Sequence, residues 1–333
     1  MVLKFKNFEV NKKNLLPFLT PTSKGTSWFD PPPPNKVTNR QIGRILLQFH
    51  QVAAAIEEYH NKKEKLDFLD VGTGNGMLPN LIAKYSKCNS SVGMDPYEDG
   101  EHQTSWPKGT KKEIIDKIKK ILNRKILSIK DYSSLISFEG LSSKPKQIKL
   151  FNNNKKWIFK KKFINELPKK KKYNFIFAKC IDHIPDWENL FSHISSISKK
   201  DCTLFIKHNS FFSYNGAHRY ASTFIPWGHV LLNEKDFNNY CKKIHKNRYK
   251  DMIDFYRNGL SYPRNTIDQL ITILNKNGWI IKHIEQSNKN SYKDLIKLAG
   301  GEENLLKKAK KNFPSLSLSE LISDRIIIIA TKL

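Results

Sequence analysis

The chain has 333 residues, of which 39% are hydrophobic and 11% aromatic, a composition that indicates a globular protein with a sizeable core and excludes a disordered chain. Its 58 Lys and Arg residues against 31 Asp and Glu residues give a formal net charge of +27, which alone would favour a polyanionic partner such as RNA or an acidic membrane surface. Only eight of these cations are Arg, and Lys is spread along the whole chain, so we interpret the charge as a solvated lysine-rich surface rather than a dedicated nucleic-acid groove.

Residues 1–38 are interpreted as a polar, proline-rich N-terminal extension. The run DPPPPNK within it predicts a stiff, extended spacer, because consecutive prolines fix an extended backbone. From Asn39 to Tyr59 apolar residues recur at helical spacing, which predicts a helix that packs on the following sheet. We therefore expect the main domain to span residues 39–333.

The stretch DFLDVGTGNGMLPNLIAKY predicts a strand, a glycine-rich turn and a helix. Gly72, Gly74 and Gly76 form the pattern G-x-G-x-G, and such a turn lets a ligand approach the backbone closely. The dinucleotide fingerprint G-x-G-x-x-G needs a glycine where Met77 stands, and no G-x-x-x-x-G-K-[ST] phosphate loop occurs. The pattern therefore favours a nucleoside cofactor without a pyrophosphate.

A second strand, within SSVGMDPYE, ends at Asp95, where a carboxylate can accept hydrogen bonds from a ribose diol. The long stretch that follows, about residues 99–155, is interpreted as an insertion with an amphipathic helix around Ile114–Leu122. A second insertion is expected at about residues 287–322.

Further strands and helices alternate along the rest of the chain. The predicted strands lie in KKWIFKKK, YNFIFAKC, CTLFIKHNSFF, WIIKHIEQ and DRIIIIATKL, with helices in NLFSHISSISK and at residues 265–277. Strands separated by helices of this length predict a mainly parallel sheet covered on both faces.

The loop after the fifth strand, IKHNSFFSYNGAHRYASTFIPWGHVLL, is unusually dense in histidine and aromatic residues. It follows the carboxyl side of the sheet, where open α/β folds place their ligands. No helical or strand periodicity explains it, so we expect it to contribute to a binding pocket.

This ordered set of motifs resembles the class I S-adenosylmethionine-dependent methyltransferases, and its UbiE/UbiG-like small-molecule branch in particular. The likeness is carried by LDVGTGNG, the strand ending in Asp95, YNFIFAKCIDHIPDW and the terminal order of helix, NGWIIKHIE and RIIIIATKL. It covers roughly residues 66–98, 156–285 and the last ten. It implies a Rossmann-like, seven-stranded, mainly parallel sheet with helices on both faces and an antiparallel last strand.

The resemblance also implies that S-adenosyl-L-methionine is the cofactor. In the family the glycine stretch cradles the amino acid part of the cofactor, the acid matching Asp95 holds the ribose hydroxyls, and the residues matching Pro96 and Tyr97 border the adenine. FINELP departs from the usual polar residue after the third strand, so that role passes to Asn165 or Glu166. The expected cofactor-binding residues are Asp70, Gly72, Thr73, Gly74, Gly76, Asp95, Pro96, Asn165, Ala178 and Cys180.

Methyl transfer to a hydroxyl or an ammonium needs a base, and histidine titrates near neutral pH. We expect His218 or His208 to serve, then His229, with His183 as the residue that the resemblance suggests. The expected acceptor-binding residues are Tyr214, Arg219 and Trp227, and Lys207 with Arg219 could hold an anionic acceptor. A three-histidine metal site is an alternative that the wide spacings do not favour, and we expect no metal.

Four cysteines lie far apart, without the C-x-x-C spacing of a zinc site, and are expected to be reduced thiols. The N-terminus lacks an apolar signal segment, and the longest apolar run, IIIIA, is too short to span a bilayer. We expect a cytoplasmic protein.

The sequence thus predicts an enzyme that methylates a small-molecule, glycan or other metabolite acceptor at oxygen or nitrogen. The [DNS]-P-P-[YFW] motif of amino-group methylation does not follow the fourth strand, which disfavours nucleobase methylation. Two alternatives remain: an RNA methyltransferase that grips phosphates with its lysine-rich surface, and a non-catalytic polyanion-binding protein that retains the fold.

Overall fold

The computed structural model describes residues 2–11, 39–61, 64–96, 110–135, 147–153, 155–218, 221–246, 249–260, 264–288 and 292–333. The predicted proline spacer, Tyr97 and Arg219 lie outside the described residues.

The described strands belong to one large sheet and two small ones. They are β1 (Val2–Phe5), β2 (Phe8–Asn11), β3 (Leu66–Val71), β4 (Cys88–Asp95), β5 (Ile126–Leu127), β6 (Ile148–Lys149), β7 (Ile158–Lys161), β8 (Tyr173–Ala178), β9 (Ser198–His208), β10 (Trp279–Asn288) and β11 (Ser323–Lys332).

The α-helices cover both faces of the large sheet and build a separate layer at one end of it. They are α1 (Asn39–Tyr59), α2 (Met77–Tyr85), α3 (Thr110–Leu122), α4 (Trp187–Ser196), α5 (Gly228–Leu231), α6 (Glu234–His245), α7 (Tyr249–Asp254), α8 (Ile267–Lys276), α9 (Tyr292–Leu298), α10 (Glu302–Ala309) and α11 (Leu318–Ile322).

The large sheet has seven strands in the order β10-β11-β9-β8-β3-β4-β7. The last strand, β11, is antiparallel to both of its neighbours, and the described pairs among the other strands are parallel. This topology confirms the predicted Rossmann-like fold.

Residues of each central strand alternate between the two faces of the sheet, so the sheet separates two apolar cores. One face, here the α1 face, packs Phe68, Phe175 and Phe205 against α1, α2 and α3. The other, the α4 face, packs residues such as Ile176 and Leu204 against α4 and α8. Because both faces are covered, the strands read as nearly continuous apolar runs.

The described part of the predicted 99–155 insertion is built into the α1-face core. Ile114 and Ile118 of α3 are fully buried there, and the Tyr132 hydroxyl lies 2.9 Å from Nδ1 of His50 in α1. This stretch therefore shares the core of the main domain.

A third apolar cluster, here called the cap, unites the loop after β9 with α5–α7 and α9–α11. The N-terminal hairpin β1–β2 also packs on the cap, where the ring of Phe5 meets Tyr240 with centroids 5.5 Å apart. The sequence analysis predicted no strands in this extension, because each has only four residues with mixed polarity. None of the described helices combines the length and apolar character needed to cross a membrane.

Candidate active site

A cavity of about 680 Å³ opens at the carboxyl ends of β3, β4 and β8. Its walls include Gly72, Gly74, Asp95, Asn165 and His183. The cavity thus brings together residues from four separate parts of the sequence at the edge where this fold binds ligands.

The glycine loop is held open beside the cavity by hydrogen bonds to the neighbouring strand. The backbone N–H groups of Gly72 and Thr73 both donate to the carbonyl oxygen of Met94, at 2.9 Å each. Gly72 and Gly74 have φ angles of +70° and +59°, which residues with a side chain rarely adopt. A Cβ atom at Gly74 would meet no atom within 4 Å, so the backbone there faces open space that a ligand can enter.

Asp95 fixes the far side of this loop. Its Oδ2 accepts a hydrogen bond from the Gly74 N–H at 2.9 Å, and the carboxyl is 7% exposed. A carboxylate held at the cavity wall supplies the hydrogen-bond acceptors that the two hydroxyls of a ribose require. The residues present therefore fit a nucleoside cofactor.

The cavity also offers an apolar surface suited to a flat base. Phe163, 58% exposed, and Ile164 stand on its rim, and Pro96 lies beside Asp95. Asn165 lines the cavity, whereas Oε2 of Glu166 accepts the Phe163 N–H at 2.6 Å. Of the two residues proposed for the adenine amine, the placement favours Asn165.

The remaining expected cofactor residues stand behind the cavity wall. Asp70 is buried, its Oδ2 accepts from the Thr73 hydroxyl at 2.6 Å, and burial raises its pKa to about 7. Gly76 packs so closely on Trp157 that a Cβ would lie 2.1 Å from the indole ring. Ala178 is fully buried in β8. These residues shape the loop and the strand rather than the cavity surface.

Cys180 is part of the cavity wall, and its thiol lies 3.5 Å from the carbonyl oxygen of Val71. A Cβ atom at Gly72 would fall 2.1 Å from the Cys180 sulfur. Position 72 therefore has room only for a glycine beside Cys180. Removal from water, with help from nearby acids, raises the pKa of the thiol, which keeps it protonated and unsuited to nucleophilic attack.

A buried carboxylate joins two of the predicted histidines. Oδ2 of Asp182 lies 2.9 Å from Nε2 of His218 and 3.7 Å from Nε2 of His183. Burial alone would raise the pKa of Asp182, but the His218 hydrogen bond and the adjacent histidines outweigh it and hold the pKa well below its usual range. Asp182 is therefore an anion that orients His218.

The two histidine rings stand side by side, with centroids 5.0 Å apart. Nδ1 of His183 donates to the carbonyl oxygen of Gly259 at 2.6 Å, and His183 also lines the cavity. His218 has a φ angle of +49°, an unusual conformation for a residue with a side chain, and its side chain is 28% exposed. The pair is thus both strained and accessible.

Asp182, His183 and His218 also form the group of described residues that could hold a metal ion, since one ligand atom of each lies within 4.8 Å of the others. Nε2 of His218 and Oδ2 of Asp182 are already joined by a hydrogen bond. This arrangement favours proton transfer over coordination.

The other two predicted histidines are buried. Nε2 of His229 donates to the carbonyl oxygens of Phe211 and Ser213 at 2.9 and 3.1 Å, and burial lowers the pKa of His229 to about 4. Burial likewise lowers the pKa of His208 to about 4, and its ring packs edge-on against Trp187 with centroids 5.4 Å apart. Burial therefore favours an uncharged ring and a structural role for both histidines.

Tyr214 and Trp227, predicted to bind the acceptor, are buried inside the cap. Their rings pack on each other at 5.2 Å, and the Trp227 indole N–H donates to the carbonyl oxygen of Leu321 at 3.0 Å. This packing favours a structural role for both.

Sequence reasoning did not single out Asp182, although it directly precedes His183 in CIDH. A carboxylate next to a histidine after the fourth strand was the available signal. Its partnership with His218 depends on a contact across 36 positions of the chain, which no local pattern shows.

One protein family matches more than half of the chain. Residues 39–244 match the family model described as a methyltransferase domain. Among curated proteins, none matches the chain in sequence.

Solved structures similar to the chain include three methyltransferases. Magnesium protoporphyrin IX methyltransferase from Synechocystis PCC 6803, with bound SAH, is 13% identical, with 89% of this chain and 85% of that chain covered and a TM-score of 0.42. A putative S-adenosylmethionine-dependent methyltransferase from Listeria monocytogenes is 11% identical, with coverages of 85% and 99% and a TM-score of 0.41. The plantazolicin methyltransferase BpumL in complex with SAH is 15% identical, with coverages of 88% and 85% and a TM-score of 0.39.

Proposed function

The chain belongs to the class I S-adenosylmethionine-dependent methyltransferases, and on that premise we propose that it methylates an oxygen or nitrogen atom of a small-molecule, glycan or other metabolite acceptor. The observation that carries this proposal is the hydrogen bond between buried Asp182 and accessible His218, next to a cavity of nucleoside-binding character.

Residues of three loops in the cavity wall would hold S-adenosylmethionine. The Asp95 carboxylate would accept hydrogen bonds from the ribose hydroxyls, and the backbone at Gly72 and Gly74 would adjoin the amino acid part. Asn165 and Phe163 would border the adenine. The cofactor, when bound, supplies a sulfonium-activated methyl group that is attacked in line by the acceptor atom.

His218 acts as the general base of this proposal. Because its Nε2–H donates to Asp182, Nδ1 carries the lone pair in the neutral ring. Nδ1 would take the proton that the acceptor atom loses on methylation. The Asp182 carboxylate then stabilises the imidazolium that results.

His183 lines the cavity and lies beside His218. Its ring is fixed by the Gly259 carbonyl oxygen on one side and stacks beside His218 on the other. We assign it a positioning role, because its Nδ1 donates to the Gly259 carbonyl oxygen and its Nε2 lies 3.7 Å from Oδ2 of Asp182, so both ring nitrogens already face other groups.

The proposal is tested by replacing His218 with Asn and following transfer of labelled methyl groups to a low-molecular-mass metabolite extract. We expect transfer to fall about a hundredfold, since a general base contributes on this order, with unchanged affinity for S-adenosylhomocysteine. His283→Asn, on the exposed β10 edge, is the control. Full transfer by His218→Asn would show that the base is another group.

A further inference from the structure

Helix α7 continues into a π-helical turn, Phe255–Gly259, where the cap meets the cavity. A π turn is wider than an α turn because its backbone hydrogen bonds span one more residue, and such turns are frequent at functional sites. Asn258 of this turn lines the cavity that His183 also lines. The turn therefore brings residues of the cap to the candidate active site.

The last residue of the turn fixes His183. The final carbonyl groups of a helix have no partner within it, so the carbonyl oxygen of Gly259 can accept a hydrogen bond from elsewhere. Nδ1 of His183 donates to it at 2.6 Å. The position of this ring therefore depends on where the turn ends.

The first residue of the turn packs on both histidines. The ring centroid of Phe255 lies 6.4 Å from that of His183 and 6.3 Å from that of His218, and the rings meet edge-on, at 66° and 80°. Aromatic rings attract each other in this arrangement. Since the two histidine rings are themselves 5.0 Å apart, the three rings form one cluster in which each ring limits the rotation of the others.

Gly259 leaves the space that the Phe255 ring occupies. A Cβ atom at position 259 would lie 2.5 Å from Cδ2 of Phe255, too close for the ring to remain where it is. The φ angle of Gly259 is not positive, so its backbone would accept an alanine. The ring of Phe255, and not the backbone, therefore excludes a side chain at position 259.

Tyr256 anchors the turn in the cap. Its ring stacks on Phe237 with centroids 3.9 Å apart, and its hydroxyl donates to the carbonyl oxygen of His229 at 3.2 Å. Tyr256 and Phe237 are both buried. Because side chains in a packed core have little freedom to move, the turn presents Phe255 to the histidines from a fixed support.

Among the residues that the structure describes, one hydrogen bond orients the side chain of His218. Its Nε2 lies 2.9 Å from Oδ2 of Asp182, and the side chain is 28% exposed. A single hydrogen bond fixes Nε2 but leaves the ring free to turn about the axis of that bond. Contacts against the ring remove this freedom, and Phe255 and His183 supply them.

We propose that Phe255 is a positioning residue of the methyl transfer, which holds the His218 ring in the orientation that lets Nδ1 receive the proton of the acceptor. Gly259 makes room for Phe255 and, through His183, limits the movement of the same ring from the other side. This inference rests on the proposed function, since Phe255 acts through the general base assigned there.

The test compares Phe255→Leu with Phe313→Leu. Both positions are half-buried aromatic residues of the cap, but the ring of Phe313 packs on Phe211 and Phe212. We expect Phe255→Leu to lower the rate of labelled-methyl transfer at saturating S-adenosylmethionine about tenfold, because a misplaced base takes up the proton less readily, and to leave the KM for S-adenosylmethionine unchanged. Phe313→Leu should leave both values unchanged.

A second comparison shows whether Phe255 acts through His218. If it does, adding Phe255→Leu to His218→Asn should lower the rate no further, because the group that Phe255 positions is already absent. Gly259→Ala keeps the Phe255 side chain but displaces it, so it should lower the rate about tenfold by itself and not in the His218→Asn background. Gly259→Ala decides the matter should Phe255→Leu not fold.

Equal rates for Phe255→Leu and Phe313→Leu would overturn the proposal. A further loss of about tenfold when Phe255→Leu is added to His218→Asn would also overturn it, since the contact would then support the fold and not the base. Full transfer by His218→Asn would contradict both the proposed base and this inference, whereas a loss in His218→Asn together with full transfer by Phe255→Leu contradicts this inference alone.

Discussion

Replacement of Asp95 by Asn isolates the charge of the carboxylate that we place on the ribose. In the structure, Oδ2 of Asp95 accepts the Gly74 N–H at 2.9 Å, and the oxygen of an Asn side chain can accept the same bond. The glycine loop should therefore keep its shape. What the variant loses is a negatively charged acceptor for two hydroxyl groups.

The size of the effect follows from these contacts. A hydrogen bond to a charged group contributes about 1.5–3 kcal/mol, and an amide –NH₂ that faces a hydroxyl retains only part of this. Loss of two such bonds should weaken binding by about 2–4 kcal/mol, which corresponds to roughly thirtyfold or more in dissociation constant.

The assay is calorimetric titration of S-adenosylmethionine into the wild type and Asp95→Asn. Asp186→Asn is a matched control, because Asp186 lies on the same cavity wall but caps α4 through the Asn189 N–H, a role that Asn fills equally well. Undiminished affinity in Asp95→Asn would refute the assignment of Asp95 to the ribose. A tighter affinity of the wild type for NAD than for S-adenosylmethionine would contradict the choice of cofactor.

Three further predictions concern groups outside the cavity. His229→Phe leaves two buried carbonyl oxygens without their donor, so its free energy of unfolding in denaturant titrations should fall by about 2 kcal/mol or more. Unchanged stability would contradict the structural role of His229. Burial raises the pKa of Glu320 from 4.5 to about 7. Because the unfolded state ionises first, the free energy of unfolding should fall by about 3 kcal/mol as pH rises through that interval. Glu320→Gln should remove this fall, and a variant whose stability depends on pH as the wild type's does would refute the prediction. Replacing Lys169–Lys172 by Gln should keep the rate of methyl transfer within about threefold of the wild-type rate, because largely exposed charges act weakly through screened solvent. A large, salt-dependent loss of that rate would favour an RNA acceptor.

Local patterns predicted the sheet because its strands are covered on both faces. Apolar runs such as YNFIFA must be nearly continuous in that position, and the glycine turn requires φ angles that single out Gly72 and Gly74. The predicted strands of the large sheet and the antiparallel last strand are therefore confirmed.

The cap could not be predicted in the same way. Its short helices, such as Gly228–Leu231 and Leu318–Ile322, owe their stability to contacts between distant segments rather than to a long periodic pattern. For the same reason, the density of aromatic residues around Tyr214 suggested a pocket wall, whereas the structure buries that side chain against Trp227 and Tyr292.

Local patterns predicted one part of the candidate site and not the other. Gly72, Gly74 and Asp95 were identifiable because each stands at a fixed offset from a strand end. The Asp182–His218 hydrogen bond joins residues that are far apart in sequence, so no spacing rule contains it. Four histidines were candidates, three from the loop after the fifth strand and His183 from the family resemblance, and burial is what separates His218 from His208 and His229.

Transfer of a methyl group from S-adenosylmethionine to a small acceptor can be measured directly. The most direct measurement incubates the wild type with methyl-labelled S-adenosylmethionine and an extract of the cells that make it, then separates RNA, protein and low-molecular-mass fractions. We expect the label to appear in the low-molecular-mass or glycan fraction, and His218→Asn to lower its amount there about a hundredfold. Label confined to RNA, or no transfer to any fraction by a protein that binds the cofactor, would contradict it.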